Sequence, residues 1–331
     1  MKSFDTACLK HPVHFLHVNN PGKSWYSVSG VVSLLRNKRY DRYLMIGDAH
    51  NLSTWRMILL KNLFYRKKHV YFWTHGWYGK ESRVERFIKR LFFRMVDGMF
   101  LYGNHAKELM IKEGINANKL FVLHNSLDYD VQLEIRNRIR PSKLYHDHFN
   151  NTNKNIIFLG RLTTVKRLDL LLDALALLKT KGVKYNVTFV GDGVERNALE
   201  QKVLDLNLQE QVWFYGACYD EVKNAELVYN ADVCASPGNV GLTAMHMLMF
   251  GTPVITHDRF EMQMPEFEAV VPCKTGLFFK YGDANDLSEK IQEWFRVHGT
   301  SRDVVRKSCY REIDTQWTPD FQMNVLSSVL K

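Results

Sequence analysis

Apolar positions along this chain alternate between short continuous runs and longer stretches spaced three or four apart. These are the patterns of buried strands and of amphipathic helices. In the first part of the chain, strands are expected at 13–18, 43–47, 70–75, 98–102 and 119–123. Helices are expected between them at 28–35, 54–65, 83–95 and 105–113, with Pro21-Gly22-Lys23 as an early turn. Asn104 stands where an N-cap belongs, and Gly114 where that last helix closes. Strands separated by helices pair in parallel, so this half reads as a wound α/β sheet.

From 129 to 155 the pattern dissolves into charged residues, Asn, His and Pro141, a linker with room for one short helix. The alternation then restarts, with strands at 155–159, 186–190, 211–215 and 231–235. Helices are expected at 168–179, 196–206 and 221–229. After Ser236, Pro237, Gly238 and Gly241 form a turn of little side-chain bulk. Ala244, Met245, Leu248 and Met249 follow at helical spacing, Gly251 and Pro253 stop the helix, and a strand begins. An irregular acidic segment holds Glu261, Glu266 and Glu268, followed by apolar 276–279. A helix at 284–297 starts near Asp283, and the tail has helical pieces at 302–312 and 321–330. Two α/β units in tandem result, 1–140 and 141–310. Ligands of such sheets bind beyond the C-terminal ends of the strands, so the groove between the units is the default site.

Composition narrows the class. The chain has 331 residues, 46% of them apolar and 24% charged, enough for two globular cores. It has no run of eighteen apolar residues to span a bilayer, and its first eight residues lack the apolar core of a signal peptide. Five scattered cysteines with no Cys-x-x-Cys pair exclude a disulfide framework or zinc ribbon and fit the reducing cytoplasm. The formal net charge of +10 is uneven: 83–94 alone carries Arg83, Arg86, Lys89, Arg90 and Arg94. A surface of that sign attracts nucleic acid or an anionic membrane. Phe87, Ile88, Leu91, Phe92 and Phe93 share that helix, and two readings stand for them, core packing or membrane contact.

The candidate chemistry lies at strand ends. Gly160-Arg161-Leu162 with Lys166 follows a strand and precedes a helix, where two cations can neutralise a diphosphate. A solvated basic loop is the alternative. Gly191-Asp192-Gly193 and Gly216-Ala217 end the next two strands in small residues, as turn chemistry or as room for a flat base. The glycine-rich turn before Leu242 and Thr243 brings backbone N–H groups to a helix start, which suits a phosphate. An ordinary strand-to-helix connection reads the same way. His75, beside Gly76, Trp77 and Tyr78, has the pKa range of a general base, or is a structural histidine among aromatics.

The order of these motifs is more specific than any one of them. Gly-Arg-Leu-x-x-x-Lys, Gly-Asp-Gly, Phe-x-Gly and Ser-Pro-Gly-Asn-Val-Gly-Leu ahead of a helix, then Gly-Thr-Pro-Val-Ile, resemble the donor half of retaining GT-B glycosyltransferases of the family-4 type. His-Asn-Ser-Leu-Asp at 124–128 and Trp-Thr-His-Gly-Trp at 73–77 resemble parts of the acceptor half. The resemblance implies two Rossmann-like domains with parallel sheets facing a cleft and a terminal helix crossing back. The acceptor domain is then 1–140, with 311–331 packed on it, and the nucleotide-sugar domain 141–310. The family pattern has two glutamates around the Gly-Leu turn, and this chain has Gly238 and His246 there. His246 is left to bond the ribose hydroxyls and Glu266 to replace the first carboxylate.

The activity implied is transfer of a sugar from a nucleoside diphosphate sugar to a hydroxyl of a glycan or lipid-linked acceptor, with retention, in bacterial cell-surface polysaccharide synthesis (O-antigen or capsule). His75, Arg161 and Lys166 are the expected catalytic residues. Gly160, Gly191, Asp192, Gly193, Gly216, Ala217, Gly238, Asn239, Gly241, Leu242, Thr243, His246 and Glu266 are expected on the donor side. Gly22, Lys23 and Trp77 are expected on the acceptor side. No Asp-x-Asp ends a strand, so neither cofactor nor obligatory metal is expected, and no nucleic acid partner. The expected place is the cytoplasm, with peripheral contact on the inner face of the membrane. Two alternatives remain: a nucleotide-sugar epimerase of the same architecture, and a catalytically degenerate binder of glycan or lipid.

Overall fold

The computed structural model describes residues 16–20 and 24–331. Most of the strand expected at 13–18, and the Pro21-Gly22-Lys23 turn with its two acceptor-side residues, lie outside the described residues. The chain divides into two compact units, 1–101 with 106–121, and 102–105 with 122–331.

In the first unit, β1 (Val18–Asn19) and β2 (Ser27–Val28) form a small antiparallel ladder. A short 3₁₀ turn, Val32–Arg36, stands where a helix over 28–35 was expected. Then come β3 (Arg42–Ile46), α1 (Leu52–Phe64), β4 (His69–Thr74), α2 (Arg83–Arg94), β5 (Gly98–Leu101), α3 (Asn104–Lys112) and β6 (Leu120–Val122). The strands lie in the order β3-β4-β5-β6, with β3, β4 and β5 paired in parallel. Sequential order with right-handed crossovers puts the connecting helices on one face. Trp55 of α1 meets Phe92 of α2, ring centroids 4.8 Å apart, and Asn62 Nδ2 donates to the Met95 carbonyl at 3.0 Å. Ser82 and Glu85 close a capping box at the start of α2. The two readings of α2 divide by residue: Phe92 and Phe93 are core, whereas Phe87 and Leu91 face outward.

The second unit begins with α4 (Tyr129–Arg138) and α5 (Leu144–Phe149), two helices where a linker was expected. They form because buried Gln132 and Tyr145 give them packing faces that a search for apolar spacing passes over. The phenol of Tyr145 donates to the Leu227 carbonyl at 2.7 Å. There follow β7 (Asn155–Leu159), α6 (Leu168–Thr180), β8 (Asn186–Val190), α7 (Arg196–Asp205), β9 (Val212–Gly216) and α8 (Glu221–Asn230). After these come β10 (Val233–Ser236), α9 (Leu242–Met249), β11 (Val254–His257), β12 (Gly276–Phe279), α10 (Ala284–His298), α11 (Arg302–Gln316) and α12 (Pro319–Val329). The sheet is fully parallel in the order β12-β11-β10-β7-β8-β9. Strands such as 233–236 are buried throughout because helices cover both faces, which is why they read as unbroken apolar runs. Asp283 caps α10 through the amides of Asn285 and Asp286. No described helix is long and apolar enough to cross a membrane.

Candidate functional site

Sheet order locates the site of the second unit. The chain winds outward from β7 through β8 to β9, then returns to place β10, β11 and β12 on the other side. The direction reverses between β7 and β10, and beyond the C-terminal ends of such a strand pair an open α/β sheet has its crevice. Gly160 follows β7 there, and Pro237 to Gly241 follow β10.

The turn after β7 is held against the turn after β10. Gly238 N donates to the Lys166 carbonyl at 2.8 Å, and Lys166 Nζ donates to the Asn239 carbonyl at 2.7 Å and to Asn239 Oδ1 at 2.9 Å. A methyl on Gly238 would overlap the Val165 carbonyl and the backbone of Lys166, so only glycine allows this approach. Gly238→Ala is therefore expected to destabilise the fold by about 1–3 kcal/mol. Urea denaturation reads the effect, and a parental value would show that the 165–166 turn simply gives way.

Helix α9 starts at this point with Gly241 as its N-cap. Thr243 Oγ1 donates to the Leu159 carbonyl at 3.0 Å, tying the helix start to the end of β7 beside Gly160. Val240 N donates to Gln263 Oε1 at 2.9 Å, and Gln263 Nε2 donates to Thr256 Oγ1 at 2.8 Å. Gln263 thus fixes the turn from below. Nothing in its sequence setting marks it.

The charges converge. Burial, and after it the neighbouring Arg161 guanidinium, push the Lys166 ammonium below its ordinary range, and the Glu266 carboxylate pulls the other way. Arg161 is exposed. Glu266 is only 2% exposed; its Oε1 accepts from Asn125 Nδ2 at 2.9 Å, while Oε2 is buried without a hydrogen-bond partner among the described residues. A cationic pair, the positive end of α9 and one buried carboxylate suit a diphosphate with a polar group attached.

The remaining residues expected on the donor side line the neighbouring strand ends. Gly191 N donates to the Gly216 carbonyl at 2.8 Å, and Leu162 N to the Asp192 carbonyl at 3.0 Å. At a φ of +144°, Gly191 has no room for a methyl against the Gly160 carbonyl. Gly193 N closes a turn on Asp192 Oδ1 at 2.7 Å, while Ala217 and Leu242 are exposed. Arg196, unremarked in the sequence, reaches this rim. It pairs with Glu200 at 2.8 Å and Asp192 at 3.8 Å, and its guanidinium lies over the Phe214 ring.

His246 has protein partners. Its Nδ1 is 3.2 Å from Gln132 Nε2 and 4.0 Å from Glu221 Oε1, and burial pushes its pKa down against the pull of Glu221. Glu268, also missed, accepts from the amides of Asn104 at 2.7 Å and His105 at 2.6 Å, both in the 102–105 segment that belongs to the second unit.

In the first unit, His75 follows β4, half-buried and stacked on Tyr78 at 5.9 Å. Thr74 Oγ1 donates to the Gly47 carbonyl and accepts from Gly76 N, which fixes the turn that carries His75. Trp77, expected on the acceptor side, is 3% exposed and packed toward Phe93 in the core of this unit.

Residues 145–308 match the family described as Glycosyl transferases group 1. An uncharacterised 41.2 kDa protein from the cps region of Klebsiella pneumoniae is 24% identical over 221 residues, which cover 66% of this chain and 57% of that one. A GDP-mannose-dependent phosphatidylinositol dimannoside mannosyltransferase of Mycobacterium tuberculosis is 35% identical over 103 residues, 30% of this chain and 26% of that one. The matched stretches thus span less than two thirds of these relatives. Among solved structures, Anabaena HepE in complex with UDP superposes with a TM-score of 0.67 at 14% identity, over 91% of this chain and 81% of that one. The lipopolysaccharide outer core galactosyltransferase WaaB superposes with a TM-score of 0.69 at 15% identity, over 90% and 77%. Through residues 145–308 the chain is similar to the glycosyl transferases group 1 family, and its fold is that of the GT-B glycosyltransferases.

Proposed function

We propose that the protein transfers a sugar from a nucleoside diphosphate sugar to a hydroxyl of a glycan or lipid-linked glycan, with retention at the anomeric carbon, in the synthesis of a bacterial surface polysaccharide. The observation that carries this reading is the meeting of Lys166, Arg161 and the start of α9 at the sheet's switch point. Breaking the anomeric C–O bond leaves charge on the departing diphosphate. Lys166, Arg161 and the amides of Leu242 and Thr243 stabilise that charge as it builds, which lowers the barrier. Glu266 offers its unpartnered oxygen to a sugar hydroxyl, and His75 serves the acceptor. The two cations do the neutralising that a metal would otherwise do, so chelation is expected to leave turnover unchanged.

The cps-region relative and the lipopolysaccharide galactosyltransferase neighbour support a surface-polysaccharide role, and the unpaired cysteines support a cytoplasmic place. The test is release of free nucleoside diphosphate from a panel of sugar nucleotides, with and without chelator, beside thermal shifts with UDP, GDP, CDP and dTDP. One nucleotide at a hundred times its Kd is expected to stabilise the protein by about 2.7 kcal/mol. No shift with any of the four and no release from any donor would end the reading. A shift without release would leave the degenerate binder.

A further inference from the structure

We infer that the outer face of α1 and α2 in the first unit is a docking surface for an anionic lipid bilayer. Both helices already bury one apolar face: Met57, Ile58, Phe92 and Phe93 pack into the core. The opposite face of a helix in water is polar. Here α2 turns Val84, Phe87 and Leu91 outward, 69%, 68% and 48% exposed, at spacings of three and four that align them in one stripe. Beside it α1, which meets α2 through Trp55 and Phe92, also exposes Leu59, Leu63 and Phe64.

Charge identifies the occupant. Arg83, Arg86, Arg90 and Arg94 run along the other edge of the α2 stripe, and exposed Arg56, Arg66 and Lys67 lie on and after α1. Arg86 and Arg90 share one carboxylate, Glu113, so the four arginines of α2 keep three net positive charges. An apolar ridge edged by arginines matches acyl chains beneath anionic headgroups. A second copy of the same face would set arginine against arginine. A nucleic acid backbone would leave the Phe87 and Leu91 ridge in water.

The experiment is sedimentation of the full chain with vesicles of phosphatidylcholine alone or of equal parts phosphatidylcholine and phosphatidylglycerol, without donor or acceptor. It reads no turnover, so its outcome is separate from that of the proposed transfer. Three net charges predict partitioning about a hundredfold stronger onto the anionic vesicles at low salt, weakened as salt is raised. The pair Phe87→Ser and Leu91→Ser should cut it at least tenfold, and Arg83→Glu with Arg94→Glu should abolish the preference for phosphatidylglycerol. All four residues are exposed, so thermal melts should stay parental. Equal partitioning of the parent onto both vesicles would overturn the inference. So would a concentration-dependent dimer, seen by light scattering, that is lost in the Phe87→Ser, Leu91→Ser pair.

Discussion

Lys166→Ala is expected to lower turnover by about 10²–10³-fold with a melting temperature close to the parent's. In the folded protein the ammonium is largely desolvated and stands beside the Arg161 guanidinium, a burden visible in its depressed pKa. Removing it gives up two hydrogen bonds to Asn239 but also relieves that repulsion, and the two effects on stability oppose each other. In the proposed transfer nothing opposes the loss. Charge grows on the diphosphate only as the C–O bond lengthens, so kcat should fall more than KM rises. Lys166→Arg should restore part of the rate, since it returns the charge while crowding Asn239. Initial rates at saturating donor and thermal melts measure both sides. Parental turnover in Lys166→Ala would remove the assignment.

The α/β alternation was legible because parallel strands covered on both faces read as continuous apolar runs; 155–159, 186–190 and 233–236 are examples. Helices α4 and α5 were not, because Gln132 and Tyr145 carry their burial and each finds its partner far along the chain, at Glu221 and Leu227. The site divides in the same way. Gly160, Lys166, Gly238 and Thr243 stood out because turns, cations and helix starts recur at local spacings. Glu268 and Gln263 could not, since their roles depend on amides at 104–105 and 240 that only the folded chain delivers. The position of His246 on α9 was readable, but its approach to Gln132 and Glu221 depends on how α4 and α8 pack.

Lowering the pH from 7 to 5 is expected to cost roughly 2 kcal/mol for each of two buried histidines, a large part of an ordinary stability margin. His124 and His257 are both buried, and desolvation pushes each down to about 4 from the usual 6.5. The His124 ring lies 4.3 Å from the Trp317 ring, and His257 Nδ1 accepts from Arg259 N at 3.2 Å, a bond that protonation would break. Between pH 6.5 and 4 the unfolded chain takes up protons that the folded chain refuses, so stability falls with pH across that window and levels below it. Carboxylates held low by their partners, such as Asp97 beside Lys61, begin to lose their contribution only near and below their unfolded value of 3.8. The two effects therefore separate on the pH axis. His124→Asn tests the assignment, because asparagine tolerates the left-handed backbone at this position, φ +56°, and does not titrate. Urea denaturation at pH 7 and pH 5 should show the parental pH dependence reduced by roughly 2 kcal/mol in that variant. An unchanged slope would place the acid sensitivity elsewhere in the molecule.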